Sequence, residues 1–124
     1  MIPLAVPNLT GRESEYLQRC IETTYVSSVG PFVTRLEEMV AEVTDSSQAV
    51  AVLSGTAGLH LALTAIGVER DDLVVLPSFT FIASANAIAY CGASPWLFDV
   101  TEDSWTLDPV LLAAHLEAET RQKD

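Results

Sequence analysis

Residues 48–66 read QAVAVLSGTAGLHLALTAI, and this stretch decides the fold of the chain. Its first six residues form a short apolar run rich in valine, bounded by polar residues and by a glycine, which predicts a buried strand over 48–53. The residues from Gly55 to about Ile66 are apolar on nearly every side, which predicts a helix packed between other elements. The stretch therefore predicts a strand, a tight turn and a helix, as in an α/β fold.

The same alternation extends to both sides of this stretch. Residues 1–11 contain two prolines and a closing glycine, and they are predicted to be an extended arm. Apolar runs predict further strands at 73–76 and 95–100, and helical periodicity predicts helices at 12–24, 31–44, 80–90 and 107–118. Alternating strands and helices favour a mostly parallel sheet covered by helices. Because three strands make a thin sheet and the chain ends after a helix, we expect an incomplete domain.

Composition excludes several classes of function. The 124 residues are 49% hydrophobic and 19% charged, which indicates a folded domain. The formal net charge of −11 repels phosphate backbones and anionic lipid, so no nucleic-acid or membrane-surface role is expected. Cys20 and Cys91 lie far apart, and neither His60 nor His115 clusters with them, so no disulfide or metal site is predicted. With no leader-like or membrane-spanning run, the chain is predicted to be cytoplasmic.

The turn Ser54-Gly55-Thr56-Ala57 is the first candidate site. Small residues let a ligand approach the backbone, and a helix N-terminus offers free N–H groups with a partial positive charge. In open parallel sheets, ligands lie at the carboxyl ends of the strands, which is the position of this turn. A phosphate cradle fits these features, but a helix cap formed by Ser54 or Thr56 fits them equally well. The turn is neither a P-loop nor a GxGxxG motif.

Further candidates follow from position alone, and each has two interpretations. In Pro77-Ser78-Phe79-Thr80-Phe81, an aromatic ring could stack on a flat ligand, or both rings could belong to the core. The loop Val26-Ser27-Ser28-Val29-Gly30-Pro31 could admit a ligand or a partner chain, or simply connect two helices. Asn86 faces either solvent or the site. Asp99 lies at the same sheet edge or caps the next turn, which we favour, and His60 is interpreted as a hydrogen-bonded core residue. No residue is predicted to be catalytic.

Taken in order, three segments and a short motif resemble the DegT/DnrJ/EryC1/StrS family, pyridoxal-phosphate-dependent aminotransferases that act on nucleotide-linked keto sugars. The matching pieces are VSSVGPFVTRLEEMVAE, AVAVLSGTAGLHLALTAIGV, DDLVVLPSFTFIASANAIAYCGASPWLFDV and LDP. The resemblance runs from about residue 3 to residue 109. The pieces IPLAVPNL and CIETTYVSSVGP look most like the branch that aminates UDP-4-keto-6-deoxy sugars for nonulosonate biosynthesis.

The resemblance implies the N-terminal part of a fold type I large domain that binds pyridoxal 5'-phosphate. It implies that Gly55, Thr56 and Ala57 hold the cofactor phosphate and that Phe81 stacks on the pyridine ring. It also implies a homodimer with active sites at the subunit interface, and it leaves His60 as a packing residue. Candidate substrate contacts are Val26, Ser27, Ser28, Gly30 and Asn86.

The chain departs from the family pattern in its length and its lysines. Family members are roughly three times as long, in the range of a two-domain enzyme. Their acidic partner of the pyridine nitrogen and their Schiff-base lysine lie outside the matching region. Lys123 is the only lysine, and its polar tail does not match the family's lysine motif. We therefore expect an N-terminal portion that does not transaminate by itself, the intact enzyme using glutamate as amino donor. The alternative is a non-catalytic module that binds a phosphate ligand or another subunit.

Overall fold

The computed structural model describes residues 2, 3 and 5–119, and it divides into two units, residues 1–51 and 52–124. The N-terminal unit contains α1 (Glu13–Glu22) and α2 (Pro31–Val43). The C-terminal unit contains α3 (Gly55–Ala65), β1 (Leu73–Pro77), α4 (Ile82–Tyr90), β2 (Ser94–Phe98) and α5 (Pro109–Glu119). This order of elements confirms the predicted α/β class.

Aromatic packing joins the two helices of the N-terminal unit. The ring of Tyr16 on α1 lies 5.2 Å from the ring of Phe32 on α2, measured between centroids. Pro31 begins α2, where its missing N–H costs nothing and its fixed φ suits the first turn. No described residue of α1 or α2 is fully buried, so this unit has contacting side chains but no closed core of its own.

The predicted strand at 48–53 is wrong for the described part of the chain. These residues carry no strand assignment, and the described sheet consists of β1 and β2 alone. A strand needs a neighbour to pair its N–H and C=O groups, and apolar composition does not supply one. The segment is held instead by a side chain, since the Ala51 N–H donates to the Glu37 carboxylate at 2.9 Å.

The other two predicted strands form a parallel pair, as expected. β1 pairs with β2 in a register that runs from Leu73↔Ser94 to Pro77↔Phe98, and α4 is the connecting helix. The second strand ends at Phe98 rather than at the predicted residue 100. The chain reverses there, because Val100 forms an antiparallel bridge with Leu107.

Two helices begin two residues later than predicted, and each has a local cause. Phe81 is extended, with φ −69° and ψ 141°, so α4 begins at Ile82 rather than at residue 80. The helix predicted at 107–118 begins at Pro109, because the Asp108 carboxylate accepts from the N–H groups of Val110 and Leu111 at 2.9 and 3.1 Å. This confirms Asp108 as the cap.

The core of the C-terminal unit is small. Leu76, Ile88 and Ala93 form its centre. Packed against them are the half-buried side chains of Leu63, Val68, Val74, Ala85 and Cys91. None of the residues of α3 is fully buried, so the prediction that α3 packs between other elements is not met by the described chain. A two-stranded sheet offers too little surface to cover both sides of that helix.

Membrane-spanning helices, disulfides and metal-ligand clusters are all absent from residues 2, 3 and 5–119. None of the helices described there has the length and hydropathy that a bilayer span requires. Cys20 and Cys91 are both free thiols. The same residues contain no group of three or more His, Cys, Asp or Glu side chains placed to hold a metal ion.

Candidate functional site

Ser54 is the N-cap of α3. Its backbone is extended, and its hydroxyl accepts a hydrogen bond from the Ala57 N–H at 3.2 Å. Its carbonyl accepts from the Gly58 N–H at 3.0 Å, the first bond of the helix ladder. The cap that the sequence left open is therefore formed by Ser54 and not by Thr56.

The cap leaves two backbone donors of the first turn available. The N–H groups of Gly55 and Thr56 have no partner among the described residues, as expected for the first positions of a helix. A Cβ built on Gly55 would meet nothing within 4 Å, so the space above the turn is open. The Thr56 hydroxyl also has no described partner. Cap and cradle are thus compatible, because two N–H groups, a hydroxyl and the positive helix end remain free for an anion such as a phosphate.

Gly58 lies in α3 just after the turn, and its lack of a side chain allows close packing. A Cβ built there would lie 3.3 Å from Val52 Cγ2, closer than ordinary side-chain contacts. The two glycines of the turn therefore differ: Gly55 faces open space, whereas Gly58 lets the preceding segment approach the helix.

The ends of β1 and β2 meet at one edge of the sheet. The Ser78 N–H donates to the Phe98 carbonyl at 2.7 Å, and the Ser78 hydroxyl donates to the Asp99 carboxylate at 3.4 Å. The same carboxylate oxygen accepts from the Val100 N–H at 2.8 Å. Asp99 therefore lies at this edge, as one of its two interpretations predicted, and its carboxylate also accepts from the N–H of the next residue.

The two phenylalanines after β1 are not core residues in the described chain. Phe81 is 79% exposed and Phe79 is 62% exposed. The Phe79 ring packs edge-on against Trp105, with centroids 5.1 Å apart. The Phe81 ring contacts no other described ring, so it is the one available to stack on a ligand.

Asn86 and His60 occupy neighbouring helices. Asn86 is half-buried on α4, and its side chain makes no hydrogen bond within the described residues. His60 is half-buried on α3 and packs edge-on against Tyr90, with centroids 5.6 Å apart. The His60 ring makes no hydrogen bond within the part of the chain that the structure describes, so its packing role rests on this ring contact; the His60 backbone carbonyl accepts from the Thr64 hydroxyl at 2.8 Å.

The predicted substrate loop belongs to the N-terminal unit. Val26 is 73% exposed, and Ser27 and Ser28 are also exposed. Gly30 has φ 148°, and a Cβ built there would lie 3.0 Å from Tyr25 Cβ, so this position requires glycine. The cradle belongs to the other unit, and the combination of loop and cradle into one site stays a prediction. Lys123 lies outside the described residues.

Sequence reasoning missed two residues near these features. Trp105 packs on Phe79 from a loop with φ 57°, which no local pattern indicates. Glu37 reaches the backbone of Ala51, fourteen positions away along the chain. In the sequence, Glu37 is one of two adjacent glutamates on a predicted helix, and nothing there distinguishes it from a solvent-exposed charge. Only the folded chain shows that its partner is the Ala51 N–H.

A capped turn with free N–H donors, and an exposed aromatic ring on the same α/β unit, are features of the kind that an anion-binding site uses. Residues 7–122 match the DegT/DnrJ/EryC1/StrS aminotransferase family, and the chain belongs to this family. Aminotransferases of this family depend on pyridoxal phosphate. The resemblance to this family seen in the sequence is therefore confirmed.

The chain is similar to several known proteins, of which three are described below. GDP-perosamine synthase of Caulobacter vibrioides is 42% identical over 120 residues, covering 97% of this chain and 32% of that protein. The aminotransferase from Psychrobacter cryohalolentis superimposes with a TM-score of 0.80 at 32% identity, covering 90% of this chain and 29% of its own. A 3-amino-5-hydroxybenzoic acid synthase gives a TM-score of 0.79 at 34% identity, covering 89% and 29%. The chain spans 28–32% of the length of the curated relatives it matches.

Proposed function

We propose that this chain supplies the cofactor-phosphate part of a pyridoxal-phosphate-dependent aminotransferase that aminates a nucleotide-linked keto sugar, with glutamate as amino donor. One observation carries the proposal: Ser54 caps α3 while the N–H groups of Gly55 and Thr56 stay free beneath open space. Because a phosphate dianion is held best by such donors at a helix N-terminus, the turn fits the phosphate of this cofactor.

Each cofactor contact then has a definite role. Gly55 and Thr56 donate backbone N–H groups, and the Thr56 hydroxyl adds a third donor. Ala57 contributes its small side chain, since its N–H is already bonded to Ser54. Phe81 covers one face of the pyridine ring, because its ring is exposed. When bound, the cofactor supplies the electron sink that amino-group transfer requires.

The substrate class is the finer part of the proposal. The name of the Caulobacter relative contains a GDP-linked sugar, which supports a nucleotide-linked substrate here. The similar synthase named for a benzoic acid shows that this fold alone does not fix the substrate. We assign Val26, Ser27, Ser28, Gly30 and Asn86 as substrate contacts, and a UDP-linked 4-keto-6-deoxy sugar as the first substrate to test.

Self-association is part of the proposed function, and a subunit-interaction module is the second candidate. Large apolar side chains are exposed on the described chain, including Leu53 at 98%, and such surface favours association. We propose a homodimer in the cytoplasm, where Cys20 and Cys91 stay reduced. A monomer by light scattering that binds no hydrophobic dye would contradict the association.

The decisive activity experiment uses the protein that carries this chain, with pyridoxal phosphate and glutamate. UDP-linked and GDP-linked 4-keto-6-deoxy sugars are offered separately, and mass spectrometry follows conversion of the keto sugar to the amino sugar. We expect conversion of one of them, with matching formation of 2-oxoglutarate. Cofactor binding without conversion of either sugar would favour the non-catalytic module. Residues 1–124 alone are expected to bind cofactor without turnover.

A further inference from the structure

α4 lacks the side-chain cap that the other two helices of its unit have. Ser54 caps α3 and Asp108 caps α5, whereas the N-cap of α4 is Phe81, which makes no side-chain cap bond. Ser, Thr, Asp and Asn are the residues that normally stabilise this position, and the ring of a phenylalanine has no oxygen to take their place. A residue that breaks such a local rule is expected where function requires its side chain.

Ser84, on the first turn of α4, contacts both Phe81 and the residue before it. Its N–H donates to the Phe81 carbonyl at 3.2 Å, and its hydroxyl oxygen lies 3.4 Å from the Thr80 hydroxyl oxygen. Either hydroxyl can donate in the second contact, which is long for a bond between two hydroxyls. Together the two bonds restrain the backbone that carries the Phe81 ring.

Ser84 is the fixed end of these contacts. It is half-buried on α4, a helix that is anchored in the core by the buried side chains of Ala87 and Ile88. Thr80 is exposed, and the Phe81 ring is largely exposed and contacts no other described ring. Because so little packs on the Phe81 ring, its placement depends on the backbone that Ser84 holds.

We propose that Thr80 and Ser84 are positioning residues for Phe81: their hydroxyl pair replaces the missing cap of α4 and holds the backbone that places the ring against the cofactor. This inference rests on the proposed cofactor site, but the hydroxyl pair can be tested without any ligand.

The chain offers a matched set of variants. Thr80→Val removes one hydroxyl and keeps the shape of the side chain, and Ser84→Ala removes the other and raises helix propensity, so both variants are expected to fold. Thr80→Ser keeps the hydroxyl and is the rescue variant. Ser78→Ala is the control, because it removes a hydroxyl contact of the same length, 3.4 Å to Asp99, in the same segment but outside the pair.

The first measurement is amide hydrogen exchange without ligand. In Thr80→Val we expect faster exchange of the Ser84 amide, because its bond to the Phe81 carbonyl reports on the backbone at that residue. Thr80→Ser and Ser78→Ala should keep the protection of the parent chain. Unchanged exchange of the Ser84 amide in Thr80→Val would overturn the inference, whatever the chain binds.

The second measurement compares binding of pyridoxal phosphate with binding of inorganic phosphate, which has no ring. Thr80→Val and Ser84→Ala should each weaken pyridoxal phosphate binding by about two- to threefold, the size of one weak hydrogen bond, and leave inorganic phosphate binding unchanged. The double variant should bind like either single variant, because the two hydroxyls act through one contact.

Three results would overturn the positioning role: unchanged pyridoxal phosphate binding in both single variants, equal weakening of both ligands, or losses that add in the double variant. If the parent chain binds pyridoxal phosphate no more tightly than inorganic phosphate, the proposed stacking on Phe81 fails, and the exchange data alone decide on the hydroxyl pair.

Discussion

The hydroxyl of Ser54 lies 3.2 Å from the backbone nitrogen of Ala57 and caps the helix that carries the cradle. Ser54→Ala removes this bond and is expected to lower the free energy of unfolding by about 1 kcal/mol, measured by denaturant titration. Ser54→Asp is the informative control. It keeps the cap and therefore the stability, but its negative charge should weaken pyridoxal phosphate binding. Equal binding by Ser54→Asp and the parent chain would contradict a phosphate at this turn.

Gly55 and Gly58 are predicted to respond differently to the same substitution. Gly55→Ala adds a methyl group in open space, so the stability should stay the same or rise by up to about 1 kcal/mol, while pyridoxal phosphate binding falls. Gly58→Ala forces a contact with Val52, so its gain in helix propensity is offset by crowding. Thermal unfolding and equilibrium binding on both variants separate the two roles. Full cofactor binding by Gly55→Ala would show that no ligand occupies that space.

Phe81 and Phe79 form a second matched pair. Phe81→Ala should change the free energy of unfolding by less than about 0.5 kcal/mol, because the ring is exposed, but should weaken cofactor binding. Phe79→Ala loses the ring contact with Trp105 and should cost about 0.5–1.5 kcal/mol of stability without affecting the cofactor. If Phe79→Ala weakens cofactor binding in titrations and Phe81→Ala does not, the stacking residue is Phe79 instead.

The Arg12–Glu15 pair on the surface gives a pH-dependent prediction. Two hydrogen bonds of 2.7 and 2.6 Å from the Arg12 guanidinium hold the pKa of Glu15 below its ordinary value. A lowered carboxyl pKa adds stability above the ordinary value of about 4.3, and that stability is lost as the pH falls through the folded-state pKa.

Arg12→Ala should therefore raise the pKa of Glu15 toward its ordinary value in an NMR titration. The difference in melting temperature between this variant and the parent chain should be present at neutral pH and disappear in acid. Arg35→Ala is the control, because Arg35 lies over the Tyr16 ring and makes no bond to Glu15. A Glu15 titration that Arg12→Ala leaves unchanged would rule out the pair.

Local chemistry made much of the C-terminal unit predictable. The cap at Asp108, the pairing of β1 with β2 and the turn at Ser54 each depend on residues close in sequence or on parallel strand order. The prediction of a strand at 48–53 was wrong because strand pairing depends on a neighbouring strand, which the residues of the segment do not specify. The two phenylalanines were ambiguous for a related reason: burial depends on what packs over a ring, and sequence type does not determine it.

The site itself was only partly predictable. The sequence of the turn indicated either a cap or a cradle, and in the folded chain Ser54 caps the helix while the donors of Gly55 and Thr56 stay free. No local pattern could reveal that Glu37 bonds to Ala51, because that contact depends on how α2 lies along an extended segment. The geometry of the turn alone indicates an anion of unspecified kind. The identity of that anion, the phosphate of pyridoxal phosphate, comes from the resemblance to the family.

Amide chemical shifts of the ¹⁵N-labelled chain test the central claim most directly. Pyridoxal phosphate, inorganic phosphate and pyridoxal are titrated separately. We predict that the Gly55 and Thr56 amides shift most with the first two ligands, because their N–H groups bind the phosphate, and hardly at all with pyridoxal. Shifts centred elsewhere, or equal shifts with pyridoxal, would contradict the assignment of this turn as the phosphate cradle.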